Sequence, residues 1–158
     1  MAQIEKEIKA GIGLDPIKFG MLKADVKNLL GEPDEIDTHT ETEDEGNTES
    51  WHYDGLELSV SFEEIDDMRL FSIAVSGEDY EFQGKKLIGL SKPDMINELK
   101  ALSIDDLQSE EWATEDHTKQ ELVFSENHSM NFWLEDDELS EIQWGPVFED
   151  EDTIAWPE

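Results

Sequence analysis

An alternation of apolar and polar residues in the middle of the chain is the feature that most constrains its fold. Residues 56–63 read Leu-Glu-Leu-Ser-Val-Ser-Phe-Glu. Successive side chains of a β-strand point to opposite faces, so this segment predicts a strand with one apolar and one polar face. Less regular runs of the same kind follow at 69–76, 121–125, 129–136 and 138–144. We therefore expect an antiparallel sheet that buries one face and exposes the other.

Helical patterns are shorter and fewer than the strand patterns. A stripe of apolar residues predicts a helix from Lys23 to Leu30, which ends at Gly31 with Pro33 shortly after it. Residues 2–10 also match a short amphipathic helix. Residues 32–50 contain nine acids and no base, and this composition indicates a polar loop.

Part of the sequence recurs. Residues 17–31 resemble residues 86–100, with Gly, Lys, Asp and Leu at matching positions, and strand patterns follow both segments. This predicts an α+β fold of two tandem helix-then-antiparallel-sheet repeats that form one shared sheet with helices on one face. The first repeat, with the N-terminal helix, spans 1–85, the second spans 86–148, and 149–158 is an acidic tail.

The charge of the chain excludes several classes of partner. The 158 residues include 42 acids and 11 Lys or Arg, which gives a formal charge of −31. A protein that binds nucleic acid directly, or an anionic membrane surface, needs the opposite sign. No run approaches the roughly 20 apolar residues that span a bilayer. Without a signal-peptide pattern and without cysteine, the expected location is the cytoplasm.

Enzyme chemistry has little support in the sequence. The chain contains no common nucleophile or phosphate-loop motif, so we expect a protein that is not an enzyme and that has no cofactor and no resident metal. The segment 37–49 is rich in acids, but a calcium loop centred on Gly46 would place His52 where a carboxylate is required. A metal-dependent hydrolase that uses this acidic loop is the alternative. The histidines occur singly, at His39, His52, His117 and His128.

Strand alternation assigns side chains to the two faces of the predicted sheet. The residues expected toward the helices are Leu56, Leu58, Val60, Phe62, Phe71, Ile73, Val75, Leu122, Phe124, Met130, Phe132, Leu134, Ile142 and Trp144. The opposite face would carry Ser59, Ser61 and Ser72 with the candidate partner-binding residues, which are Trp133, Asp54, Glu57, Glu63, Glu121, Glu135 and Glu141. A tryptophan ringed by carboxylates suits the capture of a basic protein. Because alternation slips at bulges, the alternative is that Trp133 is a core residue.

The string GMLKADVKNLLGEPDE at 20–35 resembles a unit known from other proteins. It is similar to the unit that occurs once in the small lipoprotein of the outer-membrane barrel-assembly machinery and twice in the beta-lactamase inhibitor protein family. Similar units occur in uncharacterised bacterial proteins of the immunity type. The resemblance implies helices on one face of an antiparallel sheet and a concave face that grips another protein. This chain differs from the secreted inhibitors and the lipoprotein in having no cysteine.

Together these features predict a protein-binding module, an acidic inhibitor or immunity protein that neutralises a basic partner such as a toxin. Besides the metal-dependent hydrolase, two alternatives remain open: a DNA mimic, whose carboxylates stand in for phosphates, and an acidic surface that serves solubility only. The sequence sets no oligomeric state, because an open edge of the sheet can pair between copies.

Overall fold

The computed structural model describes residues 6–14, 17–42, 46–63, 68–113, 119–148 and 154–155. Two α-helices are present in this part of the chain, α1 (Lys23–Leu30) and α2 (Lys92–Ala101), with a short 3-10 turn at Asp54–Leu56. Eight strands build the main sheet: β4 (Glu35–Thr42), β5 (Gly46–Tyr53), β6 (Leu58–Glu63), β7 (Arg69–Val75), β9 (Leu107–Ala113), β10 (Lys119–Ser125), β11 (Met130–Glu135) and β12 (Glu138–Trp144). The two-residue strands are β1 (Glu7–Ile8), β2 (Gly13–Leu14), β3 (Ile17–Lys18), β8 (Glu81–Phe82), β13 (Val147–Phe148) and β14 (Ile154–Ala155).

The main sheet is antiparallel at every junction and runs in the order β4-β5-β6-β7-β12-β11-β10-β9. Strands from the early and late parts of the chain meet at its centre, where β7 and β12 pair through Val75 with Ile142 and Ile73 with Trp144. The two edges are β4 and β9. One continuous hydrogen-bonded sheet therefore holds most of the described chain together.

One face of this sheet carries the hydrophobic core. The helices contribute Val26, Leu30, Met95 and Leu99, all at most 5% exposed. They belong to the same cluster of buried residues as the core-facing strand residues, which are Trp51, Tyr53, Leu58, Val60, Phe62, Leu70, Ile73, Val75, Val123, Met130, Phe132, Leu134, Leu139, Ile142 and Trp144. Burying this apolar area is the main stabilising contribution to the fold.

The predicted fold class is wrong. An α+β arrangement of two helix-then-sheet repeats was expected, but the protein is mostly sheet, with eight strands in one antiparallel sheet and two helices of eight and ten residues in the described part. The error has a physical cause. Both edge strands, β4 and β9, lack an alternating apolar pattern, and they form because neighbouring strands satisfy their backbone hydrogen-bonding groups. A pattern search based on burial underestimates such strands.

The outcomes for individual elements differ. The helix from Lys23 to Leu30 is confirmed, and Gly31 ends it at a φ of 85° with its N–H donating to Lys27 O at 2.8 Å. The predicted helix at 2–10 is wrong over its described part, because Glu7–Ile8 is a strand that pairs in parallel with Glu81–Phe82. Residues 1–5 lie outside the described residues.

The predicted polar loop at 32–50 is also wrong. Most of it forms β4 and β5, which pair from Glu35 with His52 to Thr42 with Gly46. Residues 43–45 lie outside the described residues. So does the predicted acidic tail 149–158, apart from Ile154–Ala155, which pair with β13.

Candidate functional site

The sheet face opposite the helices is the candidate site, and we call it the open face. Because residues paired across antiparallel strands point to the same side, the pairing registers assign its members. They are Glu35, Asp37, Thr48, Ser50, His52, Ser59, Ser61, Glu63, Ser72, Ala74, Gln108, Glu110, Gln120, Leu122, Phe124, Asn131, Trp133, Glu135, Glu141 and Gln143. Most are half-buried, as expected for neighbours on a wide sheet.

Uncharged polar side chains occupy the middle of the open face. The hydroxyls of Ser50 and Ser61 lie 2.9 Å apart on neighbouring strands. The amide of Gln143 donates to Ser72 Oγ at 3.0 Å and accepts from Trp133 Nε1 at 3.3 Å. All of these groups except Trp133 line one cavity of about 510 Å³ on the open face. The hydrogen bonds between strands hold these side chains in fixed positions.

An apolar patch lies beside this polar centre. Leu122 is paired with Trp133 across β10 and β11, and Phe124 with Asn131, so three half-buried apolar side chains share this part of the open face. Leu122 and Phe124 were expected toward the helices, and that assignment is wrong. Because residues 122–124 are all apolar, the sequence does not show which side chains of β10 face the core. Val123 pairs with the buried Phe132, and so Val123 faces the core instead.

Acidic groups surround a second cavity, of about 460 Å³, on the open face. At its wall His52 contacts two neighbours: Nδ1 lies 2.8 Å from Ser59 Oγ, and Nε2 lies 2.9 Å from Asp37 Oδ2. Glu141 lines the same cavity, with Trp133 paired to it on β11. Burial raises the pKa of the Glu141 carboxyl above its ordinary value, and the nearby His52 opposes part of that rise.

The structure brings some of the predicted partner-binding residues together and separates others. Trp133, Glu135 and Glu141 lie close together on the open face and line one cavity of about 360 Å³. Glu63 lies on the same face toward the other end, where its carboxylate accepts from Thr48 Oγ1 at 2.8 Å. Asp54 and Glu57 lie in the turn between β5 and β6 and line the cavity that contains Glu141.

Glu121 lies on the other side of the sheet. The prediction placed it on the open face, and this is wrong, because the residue is 2% exposed and faces the helices. Its carboxylate oxygen Oε2 accepts a hydrogen bond from Lys92 at the start of α2, while Oε1 has no hydrogen-bond partner among the described residues. Glu121 therefore forms an ion pair that connects helix and sheet, in which the carboxylate is buried and the lysine side chain is 31% exposed. The prediction assigned the side chains of β10 to the wrong faces of the sheet, and the same error misplaced Leu122.

Sequence reasoning missed most of the polar groups of the open face as candidates. The contacts of His52 with Asp37 and Ser59, and of Gln143 with Ser72, join different strands. They depend on the pairing register, which the separate strand patterns do not contain. Among the described residues, no group of three or more His, Asp or Glu is arranged to hold a metal ion. None of the described helices has the length and apolar character to cross a membrane.

Comparisons of the chain with models of known protein families, with curated proteins and with solved structures give no match. The resemblance carried by residues 20–35 therefore stays a prediction. The acidic segment 37–49, which the hydrolase alternative requires as a loop, forms paired strands where it is described. The open face is therefore interpreted from its own geometry.

The half-buried carboxyl of Glu141 leads to a prediction about pH. A pKa that is higher in the folded than in the unfolded protein gives stability that is present below the ordinary value of 4.5 and is lost as the pH rises through the folded pKa. The variant Glu141→Gln carries no charge at this position and so does not lose this stability. We therefore expect the melting temperature of Glu141→Gln minus that of the unchanged protein to be larger at pH 7 than at pH 4.

Thermal unfolding at both pH values measures this difference. Glu135→Gln removes one exposed negative charge from the neighbouring strand and is the matched control. If the advantage of Glu141→Gln over the unchanged protein does not grow with pH, the Glu141 carboxyl is not strained by burial.

Proposed function

We propose that this protein is a non-enzymatic binding module whose open face captures a basic protein. The observation that carries the proposal is the half-buried Trp133 beside Leu122 and Phe124, on a face that also holds Glu135 and Glu141. Aromatic side chains in pockets are the residues that most often dominate binding energy between proteins. The apolar patch supplies contact area, and the surrounding carboxylates select the charge of the partner.

The charge of the whole chain supports a basic partner. At −31 the protein creates a negative potential that attracts cations over long distances and repels anions. Electrostatic attraction of this kind raises association rates more than it raises affinity. Such rapid capture suits an inhibitor or immunity protein that must neutralise a harmful basic protein, such as a toxin, before it acts. This more specific role is part of the proposal.

The hydrogen bonds on the open face support binding rather than catalysis. Gln143 and Ser72 are bonded to each other, as are Ser50 and Ser61, so these groups form a firm polar surface. A prearranged surface loses little side-chain entropy when a partner docks. Partner polar groups can bond to the hydroxyl and amide groups that face the cavity.

The proposal is tested by affinity capture from the cells that encode the protein. The immobilised chain is expected to retain one basic protein at low salt and to capture less of it in the same time in 1 M salt, where the Debye length falls to about 3 Å. Duplex DNA added at low salt is the control. Displacement of many unrelated basic proteins by DNA would favour a DNA mimic, and retention of no basic protein would contradict the proposal.

A further inference from the structure

A serine, a histidine and an aspartate form a hydrogen-bonded row across three strands of the open face. The Nδ1 atom of His52 on β5 lies 2.8 Å from Ser59 Oγ on β6, and its Nε2 atom lies 2.9 Å from Asp37 Oδ2 on β4. All three side chains line the cavity of about 460 Å³, and the His52 side chain is 30% exposed. The row therefore borders a space of the size that small molecules occupy in proteins.

The two neighbours of His52 decide which ring nitrogen carries the proton when the ring is neutral. An aspartate carboxylate only accepts hydrogen bonds, so Nε2 carries the hydrogen that is donated to Asp37. Nδ1 then has a free lone pair and accepts a hydrogen bond from the Ser59 hydroxyl. A serine bonded to one histidine nitrogen, with a carboxylate on the other nitrogen, is the arrangement that activates serine as a nucleophile in unrelated enzymes.

We propose that Ser59 is a reactive serine that takes an acyl group from a small activated ester. Ser59 Oγ attacks the carbonyl carbon while its proton moves to His52 Nδ1. The bond from that carbon to the leaving oxygen breaks, and the proton passes from Nδ1 to the leaving group. The products are acylated Ser59, the alcohol of the ester and neutral His52. Asp37 is a positioning residue, because it acts on Ser59 only through the ring of His52.

The surroundings of Ser59 set the kind of ester and the extent of the reaction. The charge of −31 favours a neutral or cationic ester over an anionic one. Ser59 pairs with His52 on one side and with Ala74 on the other, so the described N–H groups of these strands bond within the sheet instead of forming an oxyanion hole. We therefore expect one acylation per chain rather than rapid turnover, which goes beyond the proposed binding role without opposing it.

Acetylation of the full-length protein by 4-nitrophenyl acetate tests the inference, with peptide mass spectrometry locating each acetyl group over time. Ser61 is the matched control in the same sample. It lies two residues along β6 on the same face, and its hydroxyl is 2.9 Å from that of Ser50 rather than from a histidine. General-base assistance contributes about 10² to 10⁴ in rate, so Ser59 is expected to react at least about 100-fold faster than Ser61.

Variants test the roles of the other two residues. His52→Gln is expected to slow the acetylation of Ser59 by about 100-fold, because glutamine is not a base. Asp37→Asn is expected to slow it as well, whereas Asp54→Asn removes a charge from the same cavity and should leave the rate within twofold. Nitrogen-15 NMR of the imidazole supplies a second readout for Asp37. Neutral His52 should carry its proton on Nε2 in the unchanged protein and on either nitrogen in Asp37→Asn.

Acetyl groups confined to lysines and the amino terminus, equal rates at Ser59 and Ser61, or an undiminished rate in His52→Gln would overturn the inference. A neutral His52 with its proton on Nδ1 would overturn it without any variant. The labelling needs no partner protein and no capture from cells. Failure to acetylate Ser59 would therefore remove the reactive serine and leave the proposed function to its own test.

Discussion

Replacing Lys92 by methionine is expected to lower the free energy of unfolding by about 3 kcal/mol, because it leaves a buried carboxylate without its cation. Lys92 is the only ion-pair partner of Glu121 in the described part of the chain, and the side chain of Glu121 is 3% exposed. The other carboxylate oxygen of Glu121 already has no hydrogen-bond partner in the segments that the structure describes. For a domain of this size, the loss corresponds to a melting temperature about 9 °C lower.

Thermal and urea unfolding measure this effect against a matched control. Lys85→Met removes an exposed lysine whose Nζ lies 3.7 Å from Glu98 Oε2, and exposed pairs contribute less than about 1 kcal/mol. Combining Lys92→Met with Glu121→Leu removes both charges and is expected to recover most of the loss. If Lys92→Met is no more destabilising than Lys85→Met, the ion pair between helix and sheet has no structural importance.

The second large effect is expected on binding. Trp133→Ala should weaken binding of the partner by about 2 kcal/mol or more, a factor of roughly 30 in Kd, because the indole is the largest side chain of the apolar patch that it forms with Leu122 and Phe124. The Trp133 Nε1 also donates a hydrogen bond to Gln143 Oε1, so the substitution removes the donor to this amide oxygen at the polar centre. Calorimetric titration or surface plasmon resonance with the captured partner measures the change.

The control for Trp133→Ala is Ile36→Ala, which removes an apolar side chain that is 54% exposed on the helix side of β4. Ile36→Ala is expected to change the affinity less than twofold. Circular dichroism confirms that both variants keep their secondary structure. If the two substitutions weaken the partner equally, or neither does, the apolar patch of the open face is not the anchor.

The sequence predicted most reliably those helices and strands that bury one side in the core. The helix at Lys23–Leu30 and the strand at Leu58–Glu63 followed from apolar periodicity, since one side of each packs in the core. The edge strands β4 and β9 did not, because an edge strand is held mainly by its neighbour's backbone and its side chains have no single buried face. Because β4 and β9 were not predicted, the fraction of the chain expected in strands was too small and the fraction expected in helices too large.

For the residues of the candidate site, the face of the sheet was predictable only where neighbouring core residues fix the alternation. Trp133 and Glu141 were placed on the open face correctly, because Phe132 and Ile142 fix the core side of β11 and β12. Glu121 was misplaced because Leu122, Val123 and Phe124 give β10 two possible apolar sides. Only the register with β11 decides between them. The hydrogen bonds that arrange the polar centre join residues from different strands and require the folded sheet.

The central claim, that the open face binds a basic protein, is tested most directly by side-chain footprinting of the complex. Hydroxyl radicals label exposed and half-buried side chains, so the labelling of each one can be compared between the free protein and its complex with the captured partner. Binding through the open face predicts at least severalfold lower labelling of Trp133, Leu122 and Phe124, with Ile36 on the helix side unchanged. Unchanged labelling of Trp133 together with protection of Ile36 would contradict the claim.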